Sequence, residues 1–104
     1  MNNLVLIDSC IWIDYINGIA RYQAPVDSLI DNGKVCTARI IIAEIMRGAR
    51  DEKIANEYRR NLEQFPCLSE SKETWYKAAL LSLRMRKRGY NIGWYDCYLA
   101  TLVR

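Results

Sequence analysis

Three acidic residues stand in otherwise apolar segments of the sequence, where they could do chemistry. Asp8 follows the apolar run 4–7, Glu44 is the one charged residue in the stretch 40–46, and Asp96 lies among aromatic and apolar neighbours. Asp8 ends a predicted strand of a parallel sheet, where ligands bind. Glu44 lies on an apolar helix face, where an ionised carboxylate is costly unless it is paired with a cation or bound to a metal. With Asp96, these positions are candidates for a functional site.

Each of the three carboxylates also has an ordinary structural explanation. Asp8 could cap a helix, and Asp96 could stabilise the positive end of a helix dipole. Glu44 could pair with Arg47, three positions further along a helix, or with Arg39. For Asp8, the position alone makes the functional and the structural explanations about equally plausible. For Asp96, the position alone favours the structural explanation. Glu44 favours a site, because strongly perturbed acids cluster at functional sites.

The residue types that are absent limit the chemistry further. The sequence has no histidine, and its four cysteines stand singly, which is typical of reduced core thiols rather than of zinc ligands: Cys10, Cys36, Cys67 and Cys97. Catalytic triads that depend on histidine are therefore impossible. The sequence also has no glycine-rich phosphate-binding loop. Carboxylates are the ligands of hard cations such as Mg²⁺ or Mn²⁺, which can activate water against a phosphodiester. If the chain is a catalyst, acid-based metal chemistry is what these residue types leave.

Basic and aromatic residues give a weaker indication of a nucleic-acid ligand. There are 15 Lys and Arg against 12 Asp and Glu, a formal net charge of +3, which permits contact with a polyanion. Tyr90, Trp94 and Tyr95 could stack on bases, although core packing is expected for at least two of them. Helix-dipole complementation is the alternative for the cluster at 84–88. The candidate RNA-contacting residues are Arg39, Arg47, Arg84, Arg86, Lys87 and Arg88.

The elements that would position these residues alternate between strands and helices. This alternation predicts an α/β fold with a central parallel sheet, and ligands bind beyond the carboxyl ends of such strands. The sequence length of 104 residues indicates one domain. Strands are predicted at 4–7, 34–36 and 65–68, and helices at 10–17 capped by Ser9, 25–31 beginning at Pro25, 38–47 capped by Thr37, 51–63, from Ser69 or Ser71 to the basic cluster before Gly89, and 95–103.

Three motifs in this order resemble PIN domains of the VapC toxin family. They are the strand, acid and Trp-containing helix at 6–15, the apolar helix with Glu at 37–49, and the Asp before an Ala-containing helix at 95–100. The resemblance implies a three-layer PIN-like fold and a Mg²⁺- or Mn²⁺-dependent endoribonuclease that a cognate antitoxin neutralises. It implies that Asp8, Glu44 and Asp96 are the catalytic, metal-binding acids and that the Ser9 hydroxyl supports them.

The end of the chain departs from the family pattern. The family continues into another strand, a further acid and a last strand, whereas this sequence stops at Arg104. We therefore expect a single PIN-like domain over 1–104 without the usual C-terminal strands, either a fragment or a shortened relative. A shortened sheet would expose an edge that invites a homodimer. The alternative function is a catalytically inactive remnant that binds the antitoxin or a second copy of itself.

Two further expectations concern location and a competing class of protein. The start of the sequence lacks the basic segment of a signal peptide, and no apolar run approaches the ~20 residues that span a bilayer. These features predict a cytoplasmic protein without a membrane partner. A receiver-like phosphoacceptor with Asp8 at its strand end is disfavoured, because the adjacent acids and the late Lys after a strand are missing.

Overall fold

The fold is divided between two compact units of the chain. The structure is a computed structural model that describes residues 4–102. The N-terminal unit ends at Leu68 and the C-terminal unit begins at Ser69. The described part of the first unit holds two strands and four helices, and that of the second holds two helices.

A short parallel sheet lies in the N-terminal unit. Strand β1 (Val5–Leu6) pairs with β2 (Val35–Cys36), with Val5 opposite Val35 and Leu6 opposite Cys36. Both runs are apolar, as expected for parallel strands, but only β2 is buried, whereas Val5 in β1 is 39% exposed. The α/β class with a parallel sheet is confirmed.

The predicted third strand is reduced to one bridge. Thr37 and Cys67 form an isolated parallel bridge, in which the Thr37 N–H donates to the Pro66 carbonyl at 2.8 Å and the Thr37 carbonyl accepts from the Leu68 N–H at 2.8 Å. The prediction of a strand over 65–68 is therefore wrong in extent. Pro66 has no N–H with which to continue a ladder, which explains why the pairing stops.

Helices α1 (Ser9–Ile16) and α2 (Ala20–Asp31) follow β1. Asp8, rather than the predicted Ser9, is the N-cap of α1. The predicted start of α2 at Pro25 is also wrong, because Pro25 lies inside the helix. Contacts with α1 hold the longer helix in place. The Gln23 Nε2 donates to the Tyr15 carbonyl at 2.7 Å, and the Tyr15 hydroxyl donates to Asp27.

Helices α3 (Arg39–Arg47) and α4 (Glu52–Leu62) complete the N-terminal unit. Helix α3 buries Ile41, Ile42 and Ile45 on one face. Its N-cap is Ala38, without a side-chain hydrogen bond, so the prediction that Thr37 caps it is wrong. Thr37 is instead completely buried, and its Oγ1 has no hydrogen-bond partner among the described residues.

The C-terminal unit is built from α5 (Lys72–Lys87) and α6 (Trp94–Leu102), which pack against each other. Ser71 is the N-cap of α5, one of the two predicted starting residues, and α5 ends just before Gly89, whose φ of +88° favours glycine. The predicted end of α6 at Val103 lies outside the described residues.

All four cysteines are free thiols. Cys36 and Cys97 are buried as predicted, whereas Cys10 and Cys67 are exposed, so a core position was wrong for these two. Within residues 4–102, none of the helices combines the length and apolar character that crossing a bilayer would require.

Candidate active site

Asp8 lies where β1 ends and α1 begins, held by hydrogen bonds to its own helix. Its Oδ1 accepts from the Ser9 N–H at 2.7 Å, and its Oδ2 accepts from the Cys10 thiol at 3.6 Å. The capping explanation for Asp8 therefore applies in this structure. It is compatible with a metal site, because carboxylates that bind metals are themselves commonly hydrogen-bonded.

The Asp8 carboxylate also affects its neighbour Cys10. Partial burial raises the pKa of the Cys10 thiol, and the negative charge of Asp8 and the hydrogen bond to it raise this pKa further. Cys10 is therefore held in the protonated form at neutral pH, where a thiol is a poor nucleophile. This cysteine can donate a hydrogen bond to Asp8 but is not a candidate nucleophile.

Glu44 lies in the middle of α3 and forms the ion pair that was considered as its structural explanation. Its Oε2 is 3.2 Å from Nη2 of Arg47, and the two side chains are 35% and 79% exposed. An exposed pair of this kind contributes about 0–1 kcal/mol. Arg47 can therefore be displaced by a stronger cation at little cost, and the pair does not exclude a metal-binding role for Glu44.

Asp8 and Glu44 come from segments that leave the same edge of the sheet. Leu6 is opposite Cys36, so Asp8 and Ala38 each lie two residues beyond this pair, at the carboxyl ends of parallel strands. Helix α3 begins directly after Ala38. Glu44 is six residues further on, about 9 Å along the helix axis. This is the edge at which open parallel sheets bind ligands.

Asp96 lies in the first turn of α6, as the sequence predicted. Its side chain is exposed. A carboxylate at this position is stabilised by the helix dipole, so the structural explanation applies here too. Asp96 belongs to the C-terminal unit, and its convergence with Asp8 and Glu44 stays a prediction.

The candidate acids fit a hard cation by their chemistry. Carboxylate oxygens are the preferred protein ligands of Mg²⁺ and Mn²⁺. In the part of the chain that the structure describes, no three cysteine or acidic residues are gathered in a group that could hold a metal ion. The assignment of Asp8, Glu44 and Asp96 as ligands therefore depends on their residue type and, for Asp8 alone, on its place at the sheet edge. It stays a prediction, as does the supporting role of Ser9.

The candidate RNA-contacting residues occur in both units. Arg39 and Arg47 are exposed on α3 in the N-terminal unit. The other four are exposed at the C-terminal end of α5, where they also complement the helix dipole: Arg84, Arg86, Lys87 and Arg88. The exposure of these side chains is compatible with contact to phosphates, and their role stays a prediction.

A cluster of three aromatic rings in the C-terminal unit was only partly anticipated from the sequence. The ring centroids of Trp75 and Trp94 are 5.7 Å apart, and Tyr98 lies 4.3 Å from Trp75 and 5.8 Å from Trp94. Trp94 was a stacking candidate, whereas Trp75 lay only within the range of the predicted long helix. Tyr90 is 58% exposed and Trp94 45%, so the expectation that at least two of the three stacking candidates pack in the core is wrong. The two tryptophans are 19 positions apart, so only the packing of α6 on α5 brings them together.

Comparison with known proteins identifies the family. A family model described as the PIN domain matches residues 5–104, so this chain belongs to the PIN domain family. PIN domains are generally nucleases, often toxins of toxin–antitoxin systems, and they typically use divalent metals. PIN nucleases bind RNA and often an antitoxin partner. A search among curated proteins finds no match to the chain.

Proposed function

We propose that this chain is a Mg²⁺- or Mn²⁺-dependent endoribonuclease of the VapC type, the toxin of a toxin–antitoxin pair. The observation that carries this proposal is Asp8 at the carboxyl end of β1, in a member of a family of nucleases. Helix α3, which follows the neighbouring strand β2, carries Glu44, and its carboxylate is the second proposed member of the site.

In the proposed site the protein holds the acids and the substrate in place. Asp8 and Asp96 would bind the metal, and Glu44 would bind it or orient the attacking water. The bound ion would activate water and neutralise charge on the phosphodiester. The hydrogen bonds from Ser9 N–H and the Cys10 thiol fix the Asp8 carboxylate, and the Ser9 hydroxyl would support the site. The basic side chains on α3 and α5 would contact RNA phosphates.

The test is cleavage of a single-stranded RNA with Mg²⁺ present, with EDTA added, and with Asp8→Asn. We expect EDTA to abolish cleavage and Asp8→Asn to lower kcat/KM by about 100-fold or more, since the metal stabilises the transition state by several kcal/mol. Asp14→Asn is the matched control, because Asp14 lies in the same helix α1 and has no proposed role in metal binding. Cleavage that survives both EDTA and Asp8→Asn would contradict the metal mechanism.

A second candidate function is an inactive remnant that binds the antitoxin or a second copy of the chain. The observation that favours it is the apolar surface of α5, where Tyr76, Leu80 and Leu83 are exposed, since contiguous apolar patches mark interaction sites. Light scattering after size exclusion, together with calorimetric titration of Mg²⁺, separates the two candidates. A stable dimer that binds no Mg²⁺ favours the remnant, whereas Mg²⁺ binding favours the nuclease.

A further inference from the structure

Two tryptophan rings of the C-terminal unit present a large part of their surface to solvent. Trp75 on α5 is 42% exposed and Trp94, the first residue of α6, is 45% exposed. Their centroids lie 5.7 Å apart, with an angle of 41° between the ring planes. Tryptophan is highly buried on average in folded proteins, so two adjacent exposed indoles are an unusual feature that needs an explanation.

The buried side chain of Tyr98 packs against both indoles. Tyr98 is 1% exposed and packs against both tryptophans, with centroid distances of 4.3 Å to Trp75 and 5.8 Å to Trp94. Its hydroxyl donates to the carboxylate of Glu70, just before α5. The rings are therefore fixed before any ligand arrives, and a preorganised surface loses less conformational entropy on binding.

The charges of the same unit indicate what kind of ligand this surface takes. Helix α5 carries Trp75 near its start and four exposed cations around its C-terminal end, at positions 84, 86, 87 and 88. Trp75 and Arg86 are 11 residues apart, about 16 Å along the axis. Exposed aromatic rings combined with a basic region are the two features of proteins that bind single-stranded nucleic acids. The cations would contribute nothing to the binding of a purely apolar protein surface, whereas they would attract the phosphates of a nucleic acid.

We propose that Trp94 and Trp75 form a stacking surface for an unpaired nucleobase of a single-stranded RNA. This inference rests on the proposed function in that it takes RNA as the substrate. Trp94 and Asp96 share the first turn of α6, and side chains two positions apart on a helix do not face each other. At 3.6 residues per turn, the two side chains project about 200° apart around the helix axis, so the stacked base lies on a different side of α6 from the Asp96 carboxylate. It therefore belongs to a nucleotide away from the scissile phosphate.

The first experiment uses the native chain in EDTA, so that binding is measured without cleavage. A fluorescently labelled oligoadenylate is compared by anisotropy with a ribose-phosphate chain of equal length that lacks bases. We expect the oligoadenylate to quench tryptophan fluorescence and to bind about tenfold more tightly than the abasic chain, as stacking of one base predicts. Equal affinity for the two chains, or no binding of either, would overturn the proposal.

The second experiment replaces the rings one at a time. Trp94→Leu and Trp75→Leu should each reduce the preference for bases severalfold, whereas Trp94→Tyr, which keeps a ring, should retain most of it. Tyr76→Leu is the matched control, since Tyr76 is an exposed aromatic on the same helix, 59% exposed, outside the three-ring cluster. Circular dichroism shows whether each variant is folded. If a variant does not fold, the abasic comparison on the native chain still decides.

The outcomes separate this inference from the proposed function. If the chain cleaves RNA but shows no preference for bases, the proposed stacking surface is wrong and the proposed nuclease function is retained. Binding that depends on bases in a chain that never cleaves RNA overturns the nuclease and supports the stacking surface. A dimer that masks both tryptophans from quenching and binds no RNA would assign the surface to a second copy, against the proposal.

Discussion

Asp8 combines a structural role with the proposed chemical one. Its Oδ1 accepts a hydrogen bond from the first residue of α1, and its carbonyl accepts from the Trp12 N–H at 3.1 Å, which begins the helical bonding pattern. Asparagine caps helices about as well as aspartate, and alanine does not. The two roles can therefore be separated by substitution, because Asn keeps the cap and removes the charge.

We expect Asp8→Ala to lower the free energy of unfolding by about 1 kcal/mol, since it removes the cap. Asp8→Asn should lower it by less than about 0.5 kcal/mol, although both variants should lose cleavage. Urea denaturation followed by circular dichroism measures the difference. An equal loss of stability in the two variants would show that the charge of Asp8, and not its capping geometry, stabilises the fold.

The neighbouring thiol offers a pH-dependent probe of the same carboxylate. Although Cys10 is exposed overall, the partial removal of its thiol from water raises its pKa most, and the charge of Asp8 and the hydrogen bond to it raise this pKa further. Removing that charge makes the thiolate easier to form, so Asp8→Asn should lower the pKa of Cys10. Alkylation depends on the thiolate, and its rate should therefore rise at a lower pH in the variant.

Iodoacetamide labelling across a pH series, with each cysteine quantified by peptide mass spectrometry, measures this shift. Cys67 is exposed and serves as the internal control, since its labelling profile should not change. A Cys10 profile that is the same in the native chain and in Asp8→Asn would contradict the contact between the thiol and the carboxylate.

At the scale of elements, tertiary packing determines which parts of a helix can vary. Ala78 on α5 is completely buried, whereas its neighbour Ala79 is exposed. Interiors are packed to nearly crystalline density, so there is no room at Ala78 for a larger side chain. One turn of α5 thus contains an alanine that cannot be replaced by a larger side chain without strain, next to one that can.

Ala78→Leu should lower the free energy of unfolding by about 1–3 kcal/mol through overpacking. Ala79→Leu, with similar helix propensity and an exposed position, should change it by no more than about 0.5 kcal/mol. Thermal or urea unfolding of the two variants measures the contrast. A comparable effect at both positions would mean that α5 does not bury the face assigned to it.

At the scale of the whole molecule, the net charge of +3 matters less than its distribution. Four exposed cations cluster around the C-terminal end of α5, while others, such as Lys53 and Arg60 on α4, are scattered among acids. Cations that neutralise phosphates release counterions and make binding dependent on salt. The proposed RNA-binding role of α5 should therefore be visible in the salt dependence of binding.

The double substitution Arg86→Gln with Arg88→Gln should weaken RNA binding. It should also make the plot of log affinity against log salt concentration less steep, by about 0.7 for each phosphate of a single-stranded RNA that the variant no longer neutralises. The control is Lys53→Gln with Arg60→Gln, which removes the same charge from α4 and should leave the slope almost unchanged. A similar change of slope in both double variants would indicate general attraction by net charge and not binding at α5.

Some local features of this protein could be predicted from its sequence. Apolar runs marked the two strands, and Ser71 and Gly89 marked the two ends of α5, whereas the predicted helix starts at Ser9, Pro25 and Thr37 were wrong. The PIN motifs identified the family and the candidate acids. Such features depend on residues close together in the chain, where propensity and hydrogen bonding act without help from distant residues.

Features that depend on residues far apart in the chain emerged only with the three-dimensional structure. Contacts with α1 extend α2 through Pro25, against the local preference of proline. The packing of α6 on α5 brings together two exposed tryptophans. Even for the local contacts, the sequence left alternatives open, and the structure decides that Glu44 pairs with Arg47 and that Asp8 caps its own helix. Local patterns could not choose among these outcomes, because burial and pairing are set by the free energy of the whole packed arrangement.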